Sequence, residues 1–152
     1  MHNVLILWAP DTPENHRVVE AVTRAFSDAK LSPKAIRAAD ASAADLTAAD
    51  IVVFGAQKTG NADIPPDYNE CMRFFRGITL AGRIAGFYST GSEKAGSEKA
   101  AARLRKALKD TEITQSDEEP LFVEGKQGTF PQMSNWVRRI VGTHQEMHNA
   151  RS

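Results

Sequence analysis

Residues 4–9 read Val4-Leu5-Ile6-Leu7-Trp8-Ala9, and Pro10 ends this uninterrupted apolar run. A strand that is apolar at every position is typical of a sheet covered on both faces. The segment that follows, from Asn15 to about Lys30, instead carries its apolar residues at helical spacing. A buried strand followed by an amphipathic helix predicts the first half of a parallel strand–helix–strand unit.

The same alternation continues along the rest of the chain. We predict further strands at residues 34–39, 51–55, 83–89 and 121–123, and further helices at 42–49, 67–75, 94–109 and 130–144. Five strands that alternate with helices predict an α/β protein, with a five-stranded parallel sheet between two helical layers and right-handed crossovers. We expect one domain over residues 3–142 and a frayed C-terminal tail over 143–152.

Composition limits the classes of function. The chain has 152 residues, 41% of them apolar, and 19 basic residues balance 19 acidic ones. A domain of this size can bury a full core, and its zero net charge lacks the basic excess of a nucleic-acid-binding protein. The sequence shows neither a signal peptide nor a membrane span, which predicts a cytoplasmic protein without a membrane partner. Cys71 is the single cysteine, and its place on an apolar helical stripe predicts a buried, unreactive thiol.

In a parallel sheet of this kind, ligands bind where the strands end at their carboxyl termini. The loops to consider are therefore Pro10–His16, Ala56–Asp63 and Ser89–Gly96. The chain contains no nucleotide-binding pattern Gly-x-x-x-x-Gly-Lys-Ser/Thr. The third strand ends in Gly55-Ala56-Gln57, which offers no aspartate to accept a phosphoryl group and argues against a response-regulator receiver domain.

Three residues of the first loop, Asp11, Glu14 and His16, have side chains that suit a metal site or acid–base chemistry. The alternative interpretation is that Asp11 or Thr12 caps the first helix while Glu14 complements its dipole. No complete catalytic constellation or metal site emerges from these patterns. An anion could also bind at Gly91-Ser92 with Lys94 or at Lys58-Thr59-Gly60, although such stretches are commonly solvated turns.

Several segments, taken in order, resemble a short-chain flavodoxin-like domain over residues 3–142. They are the first strand, loop and helix through residue 22, the segment 45–55, the segment 80–92 and the segment 119–125. The resemblance implies strand order 2-1-3-4-5 and an FMN-binding electron carrier that lacks catalytic residues of its own and works with a protein redox partner. The cofactor-binding residues that it implies are Asp11, Thr12, Pro13, Glu14, Asn15 and His16 in the first loop, Gln57, Lys58, Thr59, Gly60 and Asn61 in the second, and Ser89, Thr90, Gly91 and Ser92 in the third.

The first loop departs from the pattern of that family. Flavodoxins read Ser/Thr-x-Thr-Gly-x-Ser/Thr there and hold the FMN phosphate with main-chain amides, whereas the specified positions here are Asp11, Pro13, Glu14 and His16. Pro13 removes an amide donor, and Glu14 stands where the family has glycine. The stretches 57–61 and 89–93 contain no aromatic residue, and the chain is neutral where flavodoxins are typically acidic. These departures support an alternative, a cofactor-free flavodoxin-like module with an interaction or regulatory role.

Overall fold

A computed structural model of the protein describes residues 3–57, 64–90, 94–115, 121–123 and 131–150. Within these ranges the chain forms six strands and five α-helices. In chain order they are β1 (Asn3–Ala9), α1 (Pro13–Asp28), β2 (Ser32–Arg37), α2 (Ala43–Ala48), β3 (Ile51–Gln57), α3 (Asn69–Phe74), β4 (Ile84–Thr90), α4 (Lys94–Ala107), β5 (Thr114–Gln115), β6 (Leu121–Val123) and α5 (Pro131–Ala150). Short 3₁₀ turns lie at Ala38–Asp40, Pro66–Tyr68 and Lys109–Thr111.

All the strands of the sheet run parallel, as the sequence pattern predicts, and their order β2-β1-β3-β4-β5 is the one that the resemblance implies. In the register, Ile6 of β1 lies beside Ala35 of β2 and Val53 of β3. Strand β2 forms one edge, and its exposed residues Lys34 and Arg37 are typical of an edge strand. The sheet therefore has the topology expected of alternating strands and helices.

The fifth position of the sheet is divided between two short strands. The strand β5 pairs with Ile84 and Ala85 at the start of β4, and β6 pairs with the last three residues of β4. The sequence predicts only the second of these segments, residues 121–123. A strand of two polar residues, Thr114 and Gln115, carries no apolar pattern, which is why β5 was not predicted. Residues 116–120 lie outside the described ranges.

Helices cover both faces of the sheet, so that successive side chains of each central strand enter two separate cores. Helices α1 and α5 cover one face, where the largest buried side chains are those of Phe26, Tyr88 and Trp136. Helices α2, α3 and α4 cover the other face, where Phe54, Tyr68, Phe75 and Phe87 are buried. This arrangement explains the uninterrupted apolar runs of β1 and β3. Cys71 is buried in the second core, as predicted.

Several helix boundaries differ from the prediction, most of all the end of α5. Helix α1 begins at Pro13, two residues earlier than expected. Helix α5 continues to Ala150, past the end predicted near residue 144, and so includes residues 143–150 of the segment for which a frayed tail is predicted. His144, which is only 6% exposed, and the partly buried Met147 extend the packed stripe of α5 past Ile140 at helical spacing. Residues 151 and 152 lie outside the described part of the chain.

None of the helices in the described residues is long and apolar enough to cross a membrane.

The side chain of Tyr88 packs directly over Gly55 at the carboxyl end of the sheet. These residues are direct partners in the register, and a Cβ atom built on Gly55 would lie 2.0 Å from Tyr88 Cζ and 2.3 Å from its Oη. A side chain at position 55 would therefore have to displace a fully buried aromatic ring. Glycine at this position is a steric requirement of the Tyr88 packing.

We predict that Gly55→Ala lowers the free energy of unfolding by about 3 kcal/mol, since overpacking a rigid core carries a cost of this order. Gly142→Ala is the control, because a Cβ at Gly142 would meet no atom within 4 Å and alanine favours a helix by about 1 kcal/mol. Urea unfolding of the two variants should shift the midpoint in opposite directions. Equal midpoints would contradict the close approach of Tyr88.

Candidate functional site

The candidate site lies at the carboxyl edge of the sheet, where β1, β3 and β4 end at Ala9, Gln57 and Thr90. Two of the predicted loops start later than expected, because β3 runs through Ala56 to Gln57 and β4 runs through Ser89 to Thr90. The described part of the site therefore consists of residues 10–16, Gln57, Ser89 and Thr90. The predicted residues Lys58, Thr59, Gly60, Asn61, Gly91 and Ser92 lie outside the described residues.

Thr12 is the N-cap of α1, which confirms the capping interpretation of this loop. Its backbone is extended, with φ −125° and ψ 154°, and its Oγ1 accepts a hydrogen bond from the Asn15 amide at 3.1 Å. Pro13 occupies the first turn, where a missing N–H costs little, and Glu14 places a carboxylate near the positive end of the helix. These three residues start α1 in the way that ordinary capping chemistry favours.

The same three-residue segment is connected to the end of β3 by a bridge that we call the Thr12–Gln57–Glu14 bridge. The Thr12 hydroxyl donates to Gln57 Oε1 at 2.5 Å, and Gln57 Nε2 donates to Glu14 Oε2 at 2.9 Å. All three side chains are partly buried. The amide group of Gln57 therefore uses both its acceptor and a donor to hold the start of α1 against the sheet.

Asn15 has a structural position that the sequence pattern does not predict. Its side chain is fully buried, with Nδ2 donating to the Pro10 carbonyl at 3.1 Å and Oδ1 accepting from Tyr88 Oη at 3.0 Å. A buried tyrosine hydroxyl needs a partner, so a tyrosine within a predicted central strand was the available signal. The side chain of Asn15 thus fixes the loop to β4.

Asp11 and His16 form an exposed pair on the β2 side of the loop. Asp11 Oδ1 lies 2.5 Å from His16 Nε2, and Asp11 Oδ2 lies 3.6 Å from Arg37 Nη1. The ring of His16 also packs edge-on against Trp8, with centroids 4.6 Å apart. The side chains of Asp11 and His16 are 43% and 53% exposed, so water screens this network.

The main-chain amides of this loop are largely committed to internal bonds. The Thr12 amide donates to Pro10 O at 3.0 Å, the Asn15 amide to Thr12 Oγ1, and the His16 amide to Thr12 O at 2.9 Å. Pro13 has no amide hydrogen. Four of the six nitrogens from Asp11 to His16 are therefore bonded internally or have no hydrogen to offer to an anion.

The end of β4 contributes two buried hydroxyl groups. Thr90 Oγ1 donates to the Val123 carbonyl at 2.7 Å, which ties β4 to β6. Ser89 Oγ is buried and has no hydrogen-bond partner among the described residues, although an unsatisfied buried hydroxyl costs about 1–3 kcal/mol. The assignment of Ser89 and Thr90 to a cofactor stays a prediction.

No group of three or more His, Cys, Asp and Glu side chains is placed to hold a metal ion within the described ranges. Asp11 and His16 are in contact, whereas Glu14 is bonded to Gln57 instead. Of the three residues with side chains that suit a metal or acid–base site, Asp11 and His16 therefore form one pair, and Glu14 pairs with Gln57.

Two tyrosines lie buried behind the site, on opposite faces of the sheet. Tyr68 Oη lies 2.7 Å from Gly55 O and 3.1 Å from Leu7 O, so its proton bonds to the main chain of β3 or β1. Burial raises the pKa of the Tyr68 and Tyr88 hydroxyls far above their usual value. Burial likewise raises the pKa of the Cys71 thiol to about 11. These three groups remain protonated and neutral at physiological pH.

Comparison with solved structures identifies the fold. No protein-family model matches the sequence, and a search of curated proteins finds no match. The structure is similar to that of a short-chain flavodoxin associated with a non-canonical PDU bacterial microcompartment, with TM-score 0.82 and 18% identity over 95% of this chain and 99% of that one. It is also similar to oxidised Flavodoxin 2 from Bacillus cereus, with TM-score 0.80 and 16% identity over 93% of this chain and 99% of that one.

A Fusobacterium nucleatum flavodoxin bound to flavin mononucleotide is similar as well, with TM-score 0.73 and 10% identity over 94% of this chain and 99% of that one. The TM-scores of 0.73–0.82 over nearly the whole of each chain establish the fold. Because the identities are only 10–18%, the similarity establishes the fold alone. The chain has a flavodoxin-like fold, which confirms the resemblance drawn from the sequence.

The N-cap is open to a direct test. We predict that Thr12→Ala lowers the free energy of unfolding by about 1 kcal/mol or more, because the substitution removes an N-cap and also the partner of Gln57. Thr12→Ser keeps the hydroxyl and should stay close to the original protein in urea unfolding. If Thr12→Ala and Thr12→Ser had the same stability, the hydroxyl would not be the stabilising group.

The raised pKa values predict a loss of stability in alkali. Well below pH 9, Cys71, Tyr68 and Tyr88 are protonated in both the native and the unfolded state. Above about pH 9 the unfolded chain releases the proton of Cys71, and above about pH 10 it releases those of the tyrosines. The native state retains these protons to higher pH. The free energy of unfolding should therefore fall by about 1.4 kcal/mol per pH unit for each group concerned. Urea unfolding between pH 8 and 11 measures this slope.

Tyr88→Phe should make the decline above pH 10 shallower, although it lowers stability at pH 8 by leaving Asn15 Oδ1 without its donor. An unchanged slope in this variant would mean that Tyr88 ionises normally in the native state.

Proposed function

We propose that this chain is a cofactor-free flavodoxin-like module that recognises a protein partner at the carboxyl edge of its sheet. The observation that carries the proposal is the Thr12–Gln57–Glu14 bridge, which involves the loop that the resemblance to flavodoxins assigns to the FMN phosphate. Flavodoxin-like architecture by itself does not determine function, so the residues of the site decide between the candidates.

The first loop does not fit a phosphate group. A phosphate monoester carries about −1.5 to −2 charges at neutral pH and needs several donors. Here the amides of Thr12, Asn15 and His16 are bonded within the loop, and Glu14 adds a negative charge. Two unit charges about 4 Å apart interact by about 1 kcal/mol in water and about 4 kcal/mol at an effective dielectric constant of 20. A total of about 2 kcal/mol would already weaken phosphate binding roughly 30-fold.

Neither of the two tyrosines behind the site gives aromatic support to a flavin ring. Tyr68 and Tyr88 are both fully buried and bonded to Gly55 and Asn15, so neither presents a ring face at this edge. The sequences of the second and third loops contain no aromatic residue that could replace them.

The exposed groups at the edge suit a protein partner. Asp11, His16 and Arg37 place both signs of charge on one surface, each side chain being 43–53% exposed. Charges on the rim of an interface guide orientation and partner choice more than they add affinity. A partner with complementary acidic and basic groups would match this surface.

The second candidate is FMN-dependent electron transfer with a protein redox partner. It is favoured by the similarity to flavodoxins, one of which is described with flavin mononucleotide bound, and by the Ser89 hydroxyl, which has no hydrogen-bond partner among the described residues. Residues 12–16 would then lie against the phosphate, and residues 57–61 and 89–92 would flank the ring. In that case the flavin would supply the redox chemistry.

A titration distinguishes the two candidates. We predict a colourless preparation and no saturable quenching of FMN fluorescence by the protein at concentrations up to about 100 μM, which corresponds to binding weaker than about −5.5 kcal/mol. A yellow preparation, or saturable quenching in the low micromolar range, would support FMN-dependent electron transfer and contradict the cofactor-free proposal.

A further inference from the structure

We propose that Glu14 is the residue that makes this site reject a phosphate ester, whereas Asp11, the other carboxylate of the same loop, takes no part in the rejection. The inference rests on the proposed function, because it identifies the specificity-determining residue of that same site. In the sequence the two carboxylates are equivalent departures from a phosphate-binding loop. Their surroundings in the structure separate them.

The carboxylate of Glu14 is held in place from the sheet side. Its Oε2 accepts from Gln57 Nε2 at 2.9 Å, and Gln57 is itself fixed by the Thr12 hydroxyl. Both Glu14 and Gln57 are partly buried, so the charge remains at the junction of α1 and β3. An anion approaching the start of α1 would meet this charge with incomplete screening by water.

Asp11 is directed to other partners. Its two oxygens lie near His16 Nε2 and Arg37 Nη1, and Arg37 belongs to the edge strand β2. The positive charge of Arg37 offsets the negative charge of Asp11, and exposure screens what remains. Asp11 therefore presents little net repulsion to an anion at the start of α1.

Glu14 disfavours an anion in two ways, by its charge and by its bond to Gln57. While the bridge is intact, the Gln57 amide donates a hydrogen bond to Glu14 and is not available to an anion. Removal of the Glu14 side chain would eliminate one negative charge and also release a donor at the end of β3. Replacement of Glu14 by glutamine would eliminate the charge alone, because its amide oxygen can still accept from Gln57.

The test compares FMN with riboflavin, which share the flavin ring and differ by the phosphate. Fluorescence titrations would use the full chain and its variants Glu14→Gly, Glu14→Gln and Asp11→Ser. Glu20→Gln, at an exposed position of α1, is the matched control for the change in net charge. Circular dichroism and thermal melting would check folding, and Glu14→Gln decides the question if Glu14→Gly does not fold.

We expect FMN to bind Glu14→Gly at least about tenfold tighter than it binds the original protein, with a smaller gain in Glu14→Gln. Asp11→Ser and Glu20→Gln should bind FMN as the original protein does, and riboflavin affinity should be the same in all five proteins. This pattern would mean that residue 14 affects the binding of the phosphate group and not the binding of the flavin ring.

Three results would overturn the inference: an equal FMN gain in Asp11→Ser, an equal gain for riboflavin and FMN, or no gain in either folded Glu14 variant. The proposed function fails differently, by tight FMN binding to the original protein. In that event a further gain confined to the Glu14 variants would still support the role of Glu14.

Discussion

The buried hydrogen bond between Tyr88 and Asn15 connects the core of this protein to its candidate site. Tyr88 crosses the space above Gly55, where no side chain fits, and its hydroxyl reaches Asn15 Oδ1 at 3.0 Å. The other end of the Asn15 amide holds the Pro10 carbonyl. Because an unmade bond here would leave a buried polar group unsatisfied, β4 dictates where the first loop can lie.

The arrangement of the first loop follows from the buried hydrogen bond between Tyr88 and Asn15. With Asn15 directed into the core, the segment Thr12–Glu14 forms the first turn of α1 next to the end of β3, where Gln57 bonds to both ends of the segment. Phosphate binding at a helix start requires amides that point outward and a neighbourhood without negative charge. Here the amides of Thr12, Asn15 and His16 are bonded within the loop, Pro13 has no amide hydrogen, and the carboxylate of Glu14 is retained. The fold does not depend on these features of the loop, because it depends on the apolar strands and on the two helical layers that cover them.

Much of the architecture could be predicted because it rests on local patterns. The apolar runs of β1, β3 and β4 identify central strands, and the apolar spacing from Asn15 identifies α1 to within two residues of its start. The strand β5 could not be predicted, because only pairing with Ile84 and Ala85 makes a strand of two polar residues. The full length of α5 was missed for a similar reason, since the burial of His144 arises from tertiary packing and not from apolar periodicity.

Within the site, capping was predictable and the long-range contacts were not. Glu14 and Gln57 are 43 positions apart, and Asn15 and Tyr88 are 73 apart. A sequence pattern shows that Asp11 and Glu14 are both acidic, but only the partners supplied by β2 and β3 distinguish their roles. The folded structure therefore determines that the carboxylate of Asp11 is screened, whereas that of Glu14 is held in place by Gln57.

Amide NMR spectra of the isotopically labelled protein, titrated with FMN, show whether the hydrogen bonds within the first loop keep it closed to a phosphate. We expect the amide signals of Thr12, Glu14, Asn15 and His16 to keep their positions throughout the titration. Saturable shifts of the Glu14 and Asn15 amides, with release of FMN on dilution, would show that the loop opens to the phosphate and would contradict the account.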